Sequence, residues 1–501
     1  MITIKTPADI NWQSVHAIAY DHEPVEIAEQ LLARVDEGRA AFMRLIEQGV
    51  SCYGVTTGLG QLADLDLSDE DRKDLPANIL RARAAAIGPP LDKSIARANM
   101  LLRLVNFLSC MDGVSADLCR YIVDRLNDDF TGWIPKLGHG MASDAIANTH
   151  AFQTLIGEGY IFGADGEREN ASDALKARKV RPYSILEKEG LALISGVTAA
   201  PAYALDAHRR ISRLLKLANV VAAVSIEALA APRDAVDPAI KIAQCEPGVE
   251  LIIDTLAGYL ANSRIQPHKL QAPVSYRIIP QIHGALVDEL SVLRERIEKT
   301  FRSFSDNPLM VPADSPAGGR LLSVGLFHNQ HLVNQVEAVA LALAHVGCLS
   351  ERRLHRLMDS EITGLSAQLA ARPGLDAGLV VTHKASLDLE ARLKLLAQPV
   401  SLSTGESSGG QEDYMSMAFP AISRLYDMCD LVMAMLAYEL NAGLVAVGQR
   451  NDRAGDAVYA VQMYFHKTLA SLEKDRSPGP DVERILKAFN ASKFHDFVES
   501  L

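Results

Sequence analysis

The amino-acid sequence predicts a mostly α-helical protein organised around a long helical bundle. Apolar residues recur at helical spacing at Leu425, Met428 and Val432. The segment 334–353 is rich in Ala, Val and Leu, and helices with so few polar positions belong inside a bundle or between subunits. Aromatic residues make up only 6% of the chain, so Ala and Leu must provide most of the packing.

Strand signals are few, and loop signals divide the chain unevenly. Short strands are expected close to the N-terminus and at residues 160–162. Glycine-rich loops at 56–62 and 137–143 lie in the first third of the chain. The predicted plan is an N-terminal region over residues 1–200 that carries these loops, followed by a long central helical bundle and C-terminal helices over residues 201–501.

The composition excludes several classes of function. The chain has 501 residues, with 62 acidic and 50 basic side chains and a formal net charge of −12. This acidic surplus argues against a nucleic-acid surface or a polybasic membrane patch. The six cysteines lie far apart without a Cys-x-x-Cys pair, which indicates neither a zinc site nor a disulfide framework.

The sequence also predicts a soluble, cytoplasmic protein. Lys5 and Asp9 lie where a signal peptide needs an apolar run. The two most apolar stretches are interrupted by Glu227 and Glu439, and both fall short of the about 20 apolar residues that cross a bilayer. We therefore expect no membrane span.

The sequence YGVTTGLG places the phenol of Tyr53 beside a flexible, glycine-rich turn. It lacks the Gly-Lys-Ser/Thr ending of a phosphate-binding loop, which argues against nucleotide binding. A tyrosine in such a loop can act as a general base where neighbouring cations lower its pKa. The alternative is an interface tyrosine.

Three charged residues are candidates for ligand binding. Arg277 lies between two prolines in an apolar stretch, where an unpaired charge is costly. A substrate carboxylate is a natural partner for its guanidinium, and an internal carboxylate is the structural alternative. Arg83 lies in a predicted helix and equally fits a ligand contact or a protein salt bridge. Glu412, after a Ser/Gly-rich loop, offers an acid, a base or a cation partner.

His328 and His331 have a spacing that can place two metal ligands on one helical face. No third ligand is evident nearby, and the HExxH arrangement is absent. We therefore expect a capping or core-polar pair and no metal site.

Taken in order, these segments resemble the histidine/phenylalanine/tyrosine ammonia-lyase family. YGVTTGLG is similar to the catalytic-tyrosine loop of that family. The further matches, over about residues 50 to 420, are RAAAIGPPL, LIGEG, EGLALISG, PVSYRIIPQ, SDNPL, GLFH, LSERR and GGQEDYMSM. The resemblance implies a mostly helical homotetramer whose active sites draw on several subunits and act on a small molecule.

The sequence departs from the family at the residues that form the electrophile. The family cyclises an internal Ala-Ser-Gly into a methylidene-imidazolone, and the corresponding residues here are Met141, Ala142 and Ser143, followed by Asp144. Neither this register nor one shifted by a residue restores the glycine, whose backbone nitrogen must attack along a tightly bent path. We therefore expect no such prosthetic group and no other cofactor.

The resemblance assigns roles to individual positions. Tyr53 matches the catalytic base, Arg277 the substrate-carboxylate clamp, and Gln411 and Glu412 the polar residues near the amino group. Phe327 matches an aromatic residue of the site, and Arg83 a position associated with recognition of the substrate side chain. Ser195 stands where the family usually has asparagine, and Val274 replaces a usual tyrosine.

These assignments predict an ammonia-lyase-like enzyme that works without the methylidene-imidazolone. A positioned base contributes on the order of 10²–10⁴ in rate, too little to remove the β-proton of an ordinary amino acid. The carboxylate-bearing substrate must therefore supply its own acidity or a better leaving group than ammonia. The alternatives are an ordinary ammonia-lyase with an irregular prosthetic group and a catalytically inactive binding homologue.

Overall fold

The structure is a computed structural model that describes residues 1–312, 315–316, 318–469 and 472–501. Most of these residues are helical, which confirms the predicted fold class. The α-helices span Trp12–Ala19, Glu29–Glu47, Asp71–Ala82, Lys93–Phe107, Ala116–Asn127, Ala145–Phe152, Ala171–Ala177, Glu189–Ile194, Ala199–Leu229, Pro247–Tyr259, Val274–Arg277, Ile279–Arg302, Gln330–Leu357, Ser360–Thr363, Thr382–Leu396, Ala418–Gly448, Asp456–His466, Gly479–Phe489 and Ser492–Glu499. Short 3₁₀ turns lie at Pro7–Asp9, Gly60–Leu62, Gln153–Ile156, Asp234–Val236, Pro238–Ala243, Ala367–Leu369 and Ser408–Gly410.

The strands of the described residues form only two-stranded sheets. Ile2–Ile4 pairs in parallel with Val25–Ile27. The antiparallel pairs are Ile87–Pro90 with Pro135–Leu137, Tyr160–Phe162 with Arg168–Asn170, and Leu309–Val311 with Arg320–Leu322. Both strands expected from the sequence are present, and each is too short to organise the fold.

The chain divides into two compact units. The first comprises Met1–Asp206, Arg294–Asn334 and Val400–Ile422, and the second comprises Ala207–Leu293, Gln335–Pro399 and Ser423–Leu501. The sequence predicts a single boundary near residue 200, which lies close to the end of the first segment. It does not predict that two later segments pack with the N-terminal unit, because such contacts join residues more than a hundred positions apart.

The helix Lys93–Phe107 forms the centre of the first unit. Every residue from Ile95 to Phe107 is buried, including Arg97 and Arg103. Arg97 Nη1 and Nη2 donate hydrogen bonds to the carbonyl oxygens of Leu126 and Ile18, at 3.0 and 2.9 Å. Buried charges of this kind require such partners, so the helix is fixed by polar contacts as well as by apolar packing.

A glycine lets two short helices of this unit approach each other closely. A Cβ at Gly190 would lie 2.3 Å from the main-chain oxygen of Pro76, so the helix Glu189–Ile194 packs directly on the backbone of Asp71–Ala82. Glu189 is buried and accepts hydrogen bonds from the Ser115 hydroxyl and amide at 2.7 and 3.1 Å. These contacts fix the segment that begins at Glu189.

The second unit contains the bundle predicted from apolar periodicity. Its core includes a bidentate ion pair in which Arg353 Nε and Nη2 donate to Glu439 at 2.6 and 2.9 Å. The helices Gln330–Leu357 and Ala418–Gly448 are long and apolar enough to cross a membrane by length and composition alone. However, 56% and 61% of their most apolar windows are buried in the protein, as in core helices.

His150 provides a pH-dependent test of packing in the first unit. Its Nε2 accepts a hydrogen bond from the Ala86 amide at 3.0 Å, and burial lowers the pKa of the imidazole to about 4. Between pH 6.5 and 4 the unfolded chain therefore binds a proton that the folded chain does not, so stability falls as the pH drops through this window. The free energy of unfolding, measured with urea, should fall between pH 7 and pH 4 by less in His150→Gln than in the wild type. We expect the two decreases to differ by on the order of 2 kcal/mol.

The exposed His331 supplies the matched control for this experiment. His331→Gln is expected to retain the full pH dependence of the wild type. Equal pH dependence in all three proteins contradicts the assignment to His150.

Candidate active site

A cavity of about 680 Å³ lies in the first unit. Its lining residues come from the segments 51–63, 141–145, 191–195, 323–327 and 408–412, together with Arg83 and Asn307. Most of these segments are loops or helix ends, held in place by the packing around the buried helix Lys93–Phe107. The volume is in the range of small-molecule sites.

Tyr53 lies on the cavity wall with its phenolic oxygen held by the backbone. The Gly60 amide donates a hydrogen bond to this oxygen at 2.9 Å. Gly60 adopts a φ of +58°, a left-handed conformation that glycine adopts without steric cost. An N–H donor at this position also remains bonded to a phenolate, so the contact suits a tyrosine that exchanges its proton during a reaction.

Arg83 points its charge into the same part of the cavity. It caps the C-terminus of the helix Asp71–Ala82, and its Nη1 donates a long 3.4 Å bond to the Ile79 carbonyl oxygen. Burial lowers the pKa of the guanidinium, and the charges of Tyr53 and Glu412 oppose that shift. The three predicted residues therefore interact electrostatically in one pocket. The neighbouring Arg81, by contrast, is about half exposed and paired with Glu158.

Glu412 and Gln411 follow a tight turn that faces the Tyr53 loop. Ser407 and Glu412 exchange backbone hydrogen bonds at 2.8 and 3.3 Å, and the Ser407 hydroxyl donates to Glu412 Oε2 at 3.4 Å. A Cβ at Gly409 would lie 2.7 Å from Gln61 Oε1, so the two loops are in close contact. This contact places both predicted polar residues on the cavity.

Ser195 and Phe327 also line the cavity, as the resemblance implies. Three further lining residues, Asn307, Ser323 and Val324, have no role assigned by the sequence. Asn307 Oδ1 accepts hydrogen bonds from the Val324 amide at 2.7 Å and the Ser323 hydroxyl at 3.4 Å. The SDNPL motif was the available signal for Asn307, but a motif does not indicate which side chain reaches a cavity.

Arg277 and Val274 are not among the residues that line this cavity. They lie in the short helix Val274–Arg277 of the second unit, where Val274 is 55% exposed. Arg277 Nε donates to the Ala272 carbonyl oxygen at 3.0 Å. Arg83, by contrast, is one of the lining residues.

Comparison with known proteins decides the family. The family model described as aromatic amino acid lyase matches residues 10–467. The chain belongs to the aromatic amino acid lyase family. Accordingly, it is a carbon–nitrogen lyase.

Individual relatives cover nearly the whole of this lyase. It is 32% identical to histidine ammonia-lyase from Geobacillus thermodenitrificans, over 93% of each chain. It is 30% identical to histidine ammonia-lyase from Bacillus subtilis, over 94% of this chain and 93% of the relative. Among solved structures, ergothionase from Treponema denticola, an ergothioneine-degrading enzyme, matches with a TM-score of 0.93 at 22% identity, covering 100% of this chain and 99% of the other.

The loop where the family forms its methylidene-imidazolone lines the cavity with Met141, Ala142 and Ser143. The next residue, Asp144, is fully enclosed, and its amide donates to the Gly196 carbonyl oxygen at 3.2 Å. In the register Ala142-Ser143-Asp144 this amide nitrogen would have to attack the Ala142 carbonyl. The segment has no glycine, and this nitrogen is already hydrogen-bonded, so the residues present do not fit the group.

Asp144 is held by a dense set of donors. Its Oδ2 accepts the amides of Thr198 and Ala200 at 2.9 and 2.8 Å, and its Oδ1 accepts the Asn329 side-chain amide at 3.0 Å. Burial raises the pKa of Asp144 to about 6, and these hydrogen bonds oppose the shift. The carboxyl group therefore anchors the loop against the start of the helix Ala199–Leu229.

The two histidines of HNQH occupy different environments. His328 lies next to Tyr414, with ring centroids 6.1 Å apart, whereas His331 is exposed. Within the described parts of the chain, no group of three or more His, Cys, Asp or Glu side chains is arranged to hold a metal ion. The structure therefore supplies no third ligand for this pair among those residues.

Proposed function

We propose that this lyase eliminates an amine from a carboxylate-bearing, amino-acid-like small molecule without a methylidene-imidazolone. One observation carries the proposal: the loop Met141–Ala142–Ser143–Asp144 lacks the required glycine and commits the Asp144 amide to Gly196, on a cavity that retains the predicted base. This combination supports a reaction that uses the predicted base and does not use the family's electrophile.

Tyr53 is the proton acceptor in this proposal. The phenolate takes a proton from the carbon next to the one that bears nitrogen, the C–H electrons form the double bond, and the C–N pair leaves with the amine. The products are an α,β-unsaturated carboxylate and the free amine. The Gly60 amide, 2.9 Å from the phenolic oxygen, stays bonded throughout and keeps that oxygen in place.

The missing electrophile must be compensated by the leaving group. A trialkylammonium group keeps its positive charge at every pH and leaves as a neutral tertiary amine without needing a proton. Betaines of amino acids carry this group. Ergothioneine, which the structural neighbour from Treponema denticola degrades, is such a betaine. We therefore take aromatic amino-acid betaines as the substrate class, with ergothioneine as the first candidate.

The cavity has groups that suit a betaine. A trialkylammonium cation donates no N–H hydrogen bond, so it is recognised by negative charge and aromatic faces, which Glu412 and Phe327 supply. Arg83 offers a cation, desolvated by burial, for an anionic part of the substrate. Ser195 and Gln411 add hydrogen-bonding groups on the same wall.

The carboxylate clamp completes the proposal. Because Arg277 does not line the cavity within one chain, we infer a homotetramer in which a neighbouring copy supplies the clamp, as the family resemblance implies. We also propose that the enzyme is located in the cytoplasm.

The intact mass of the purified protein tests the missing prosthetic group. We expect the mass calculated from the sequence, because neither register of the loop can cyclise. A deficit of two waters, about 36 Da, contradicts the proposal and restores ordinary ammonia-lyase chemistry.

Replacement of the base tests the reaction. We expect the wild type to release a tertiary amine from ergothioneine, and Tyr53→Phe to lose at least on the order of 10²-fold in kcat because the proton acceptor is gone. Amine release is followed by mass spectrometry. Tyr160→Phe, at an exposed tyrosine of the same unit, is the control and should keep full activity. Equal activity of Tyr53→Phe and wild type removes Tyr53 from the mechanism. If the wild type itself turns over no betaine, the result favours an inactive binding homologue.

Two neighbouring arginines allow a matched test of substrate binding. Arg83→Met is expected to raise KM on the order of tenfold or more, because a partly desolvated charge-assisted contact is worth about 1.5–3 kcal/mol. Arg81→Met removes the same charge two residues away, where the guanidinium faces Glu158, and should leave KM within twofold. Similar KM values for the two variants contradict a ligand role for Arg83.

A further inference from the structure

Four charged side chains with no exposed surface lie together in the first unit. Lys188 Nζ donates to Asp306 Oδ2 at 2.8 Å. Arg103 Nη2 lies 3.2 Å from Asp112 Oδ1 and 3.7 Å from Asp306 Oδ2. We call Arg103, Asp112, Lys188 and Asp306 the buried ion cluster.

Burying the ion cluster costs free energy of desolvation, so the cluster is a poor means of stabilising the fold. Charges removed from water lose their hydration, and an apolar replacement of a buried ion pair is often neutral or stabilising. Lys188 has in addition a left-handed backbone, with a φ of +71°, which is strained for a residue with a Cβ. Burial and the neighbouring Asp306 raise the pKa of Asp112 well above its usual range, against the opposing charge of Arg103.

One wall of the cavity is tied to the cluster through Arg103. Its Nε donates to the Ala192 carbonyl oxygen at 2.7 Å, within the helix that ends at the lining residue Ser195. Its Nη1 donates to the Ser305 carbonyl oxygen at 3.2 Å. A Cβ at Gly196 would lie only 1.8 Å from that same oxygen, so the backbone after Ser195 packs directly against Ser305.

A second wall of the cavity is tied to the cluster through Asp306. Its Oδ1 accepts the Asn307 amide at 2.7 Å, and Asn307 lines the cavity. Asn307 Oδ1 in turn holds the amide of Val324, another lining residue, at 2.7 Å. The cluster is therefore joined to both walls by hydrogen bonds with no more than one residue in between.

The Tyr53 loop also lies beside the cluster. Cys52, which precedes Tyr53, is 1% exposed, and burial raises the pKa of its thiol to about 11. The charge of Lys188 lowers this pKa by a smaller amount, and the charge of Asp306 raises it further. These effects place both charges close to the loop that carries the base.

We propose that Lys188 and Asp306 are positioning residues, which fix the Ser195 and Asn307 walls of the cavity relative to each other. Lys188 acts through Asp306, and Asp306 acts through its hydrogen bond from the lining residue Asn307 and through its proximity to Arg103. The proposal rests on the proposed function for its kinetic test, although the geometry itself is independent of the substrate.

The double variant Lys188→Met/Asp306→Asn tests the proposal. It removes one positive and one negative charge together and leaves Arg103 paired with Asp112 at 3.2 Å, and the asparagine keeps an acceptor for the Asn307 amide. We expect a Tm close to that of the wild type, kcat for amine release reduced at least tenfold, and KM changed less than threefold. A role in folding alone would lower Tm and the active fraction without this division between kcat and KM.

The matched control is an ion pair of the buried helix Lys93–Phe107, which also carries Arg103. Arg97 is buried and pairs with Asp129 at 3.0 Å, but its bonds lead to Leu126 and Ile18, which do not line the cavity. Arg97→Met/Asp129→Asn should therefore keep kcat within twofold of the wild type. Equal losses of kcat in the two double variants overturn the proposal.

Crystal structures separate this proposal from the proposed function. We expect the backbone at Ser195 and Asn307 to move apart or together by more than about 1 Å in the Lys188→Met/Asp306→Asn variant, whether or not betaines are substrates. Unmoved walls overturn the positioning role; moved walls in a protein inactive on betaines support it while the substrate assignment fails. If the double variant does not fold, Lys188→Arg retains the charge with a longer head group, and an unchanged kcat and unmoved walls in that variant overturn the proposal.

Discussion

The hydrogen bonds of Asp144 constrain the loop on which the chemistry of this cavity depends. Its amide is held by Gly196, and its carboxyl group by Thr198, Ala200 and Asn329, so the loop is fixed from both the main chain and the side chain. Cyclisation needs a free, flexible nitrogen in a residue without a Cβ, and this one is neither. In the proposed function, the ligand therefore supplies the reactivity that the resemblance assigns to the family's prosthetic group.

The cavity has the electrostatics that such a ligand requires. Arg83 is a partly desolvated cation, and Glu412 is a nearby anion. The phenolic oxygen of Tyr53 accepts a hydrogen bond from the Gly60 amide and is the proton acceptor of the proposed reaction. The proposed substrate, a zwitterion with a permanent positive charge, has a group for each of these charges. Opposite charges held in one pocket also disfavour simple cations or anions, which would leave one of the two protein charges unpaired.

The buried ion cluster places four charges next to segments that line the cavity. Apolar packing tolerates small shifts, whereas hydrogen bonds to buried charges have narrow distance and angle requirements. Arg103 and Asp306 exploit this near Ser195 and Asn307, and the close approach of Gly196 to Ser305 leaves little space for adjustment. In the proposed positioning role, these interactions contribute more to the placement of the walls than to the stability of the fold.

The sequence by itself determined the helical architecture and the chemical character of the site. Apolar periodicity depends on local spacing, so the bundle helices were predictable, and the motif around Tyr53, the position of Arg83 and the missing glycine after Ser143 needed only the order of residues. The tertiary structure alone decided that Asn307 and Val324 line the cavity, that Arg277 does not, and that Lys188 meets Asp306 across 118 positions. Such contacts join segments with no shared pattern, and their partners are selected by burial and close approach in three dimensions, which no local spacing encodes.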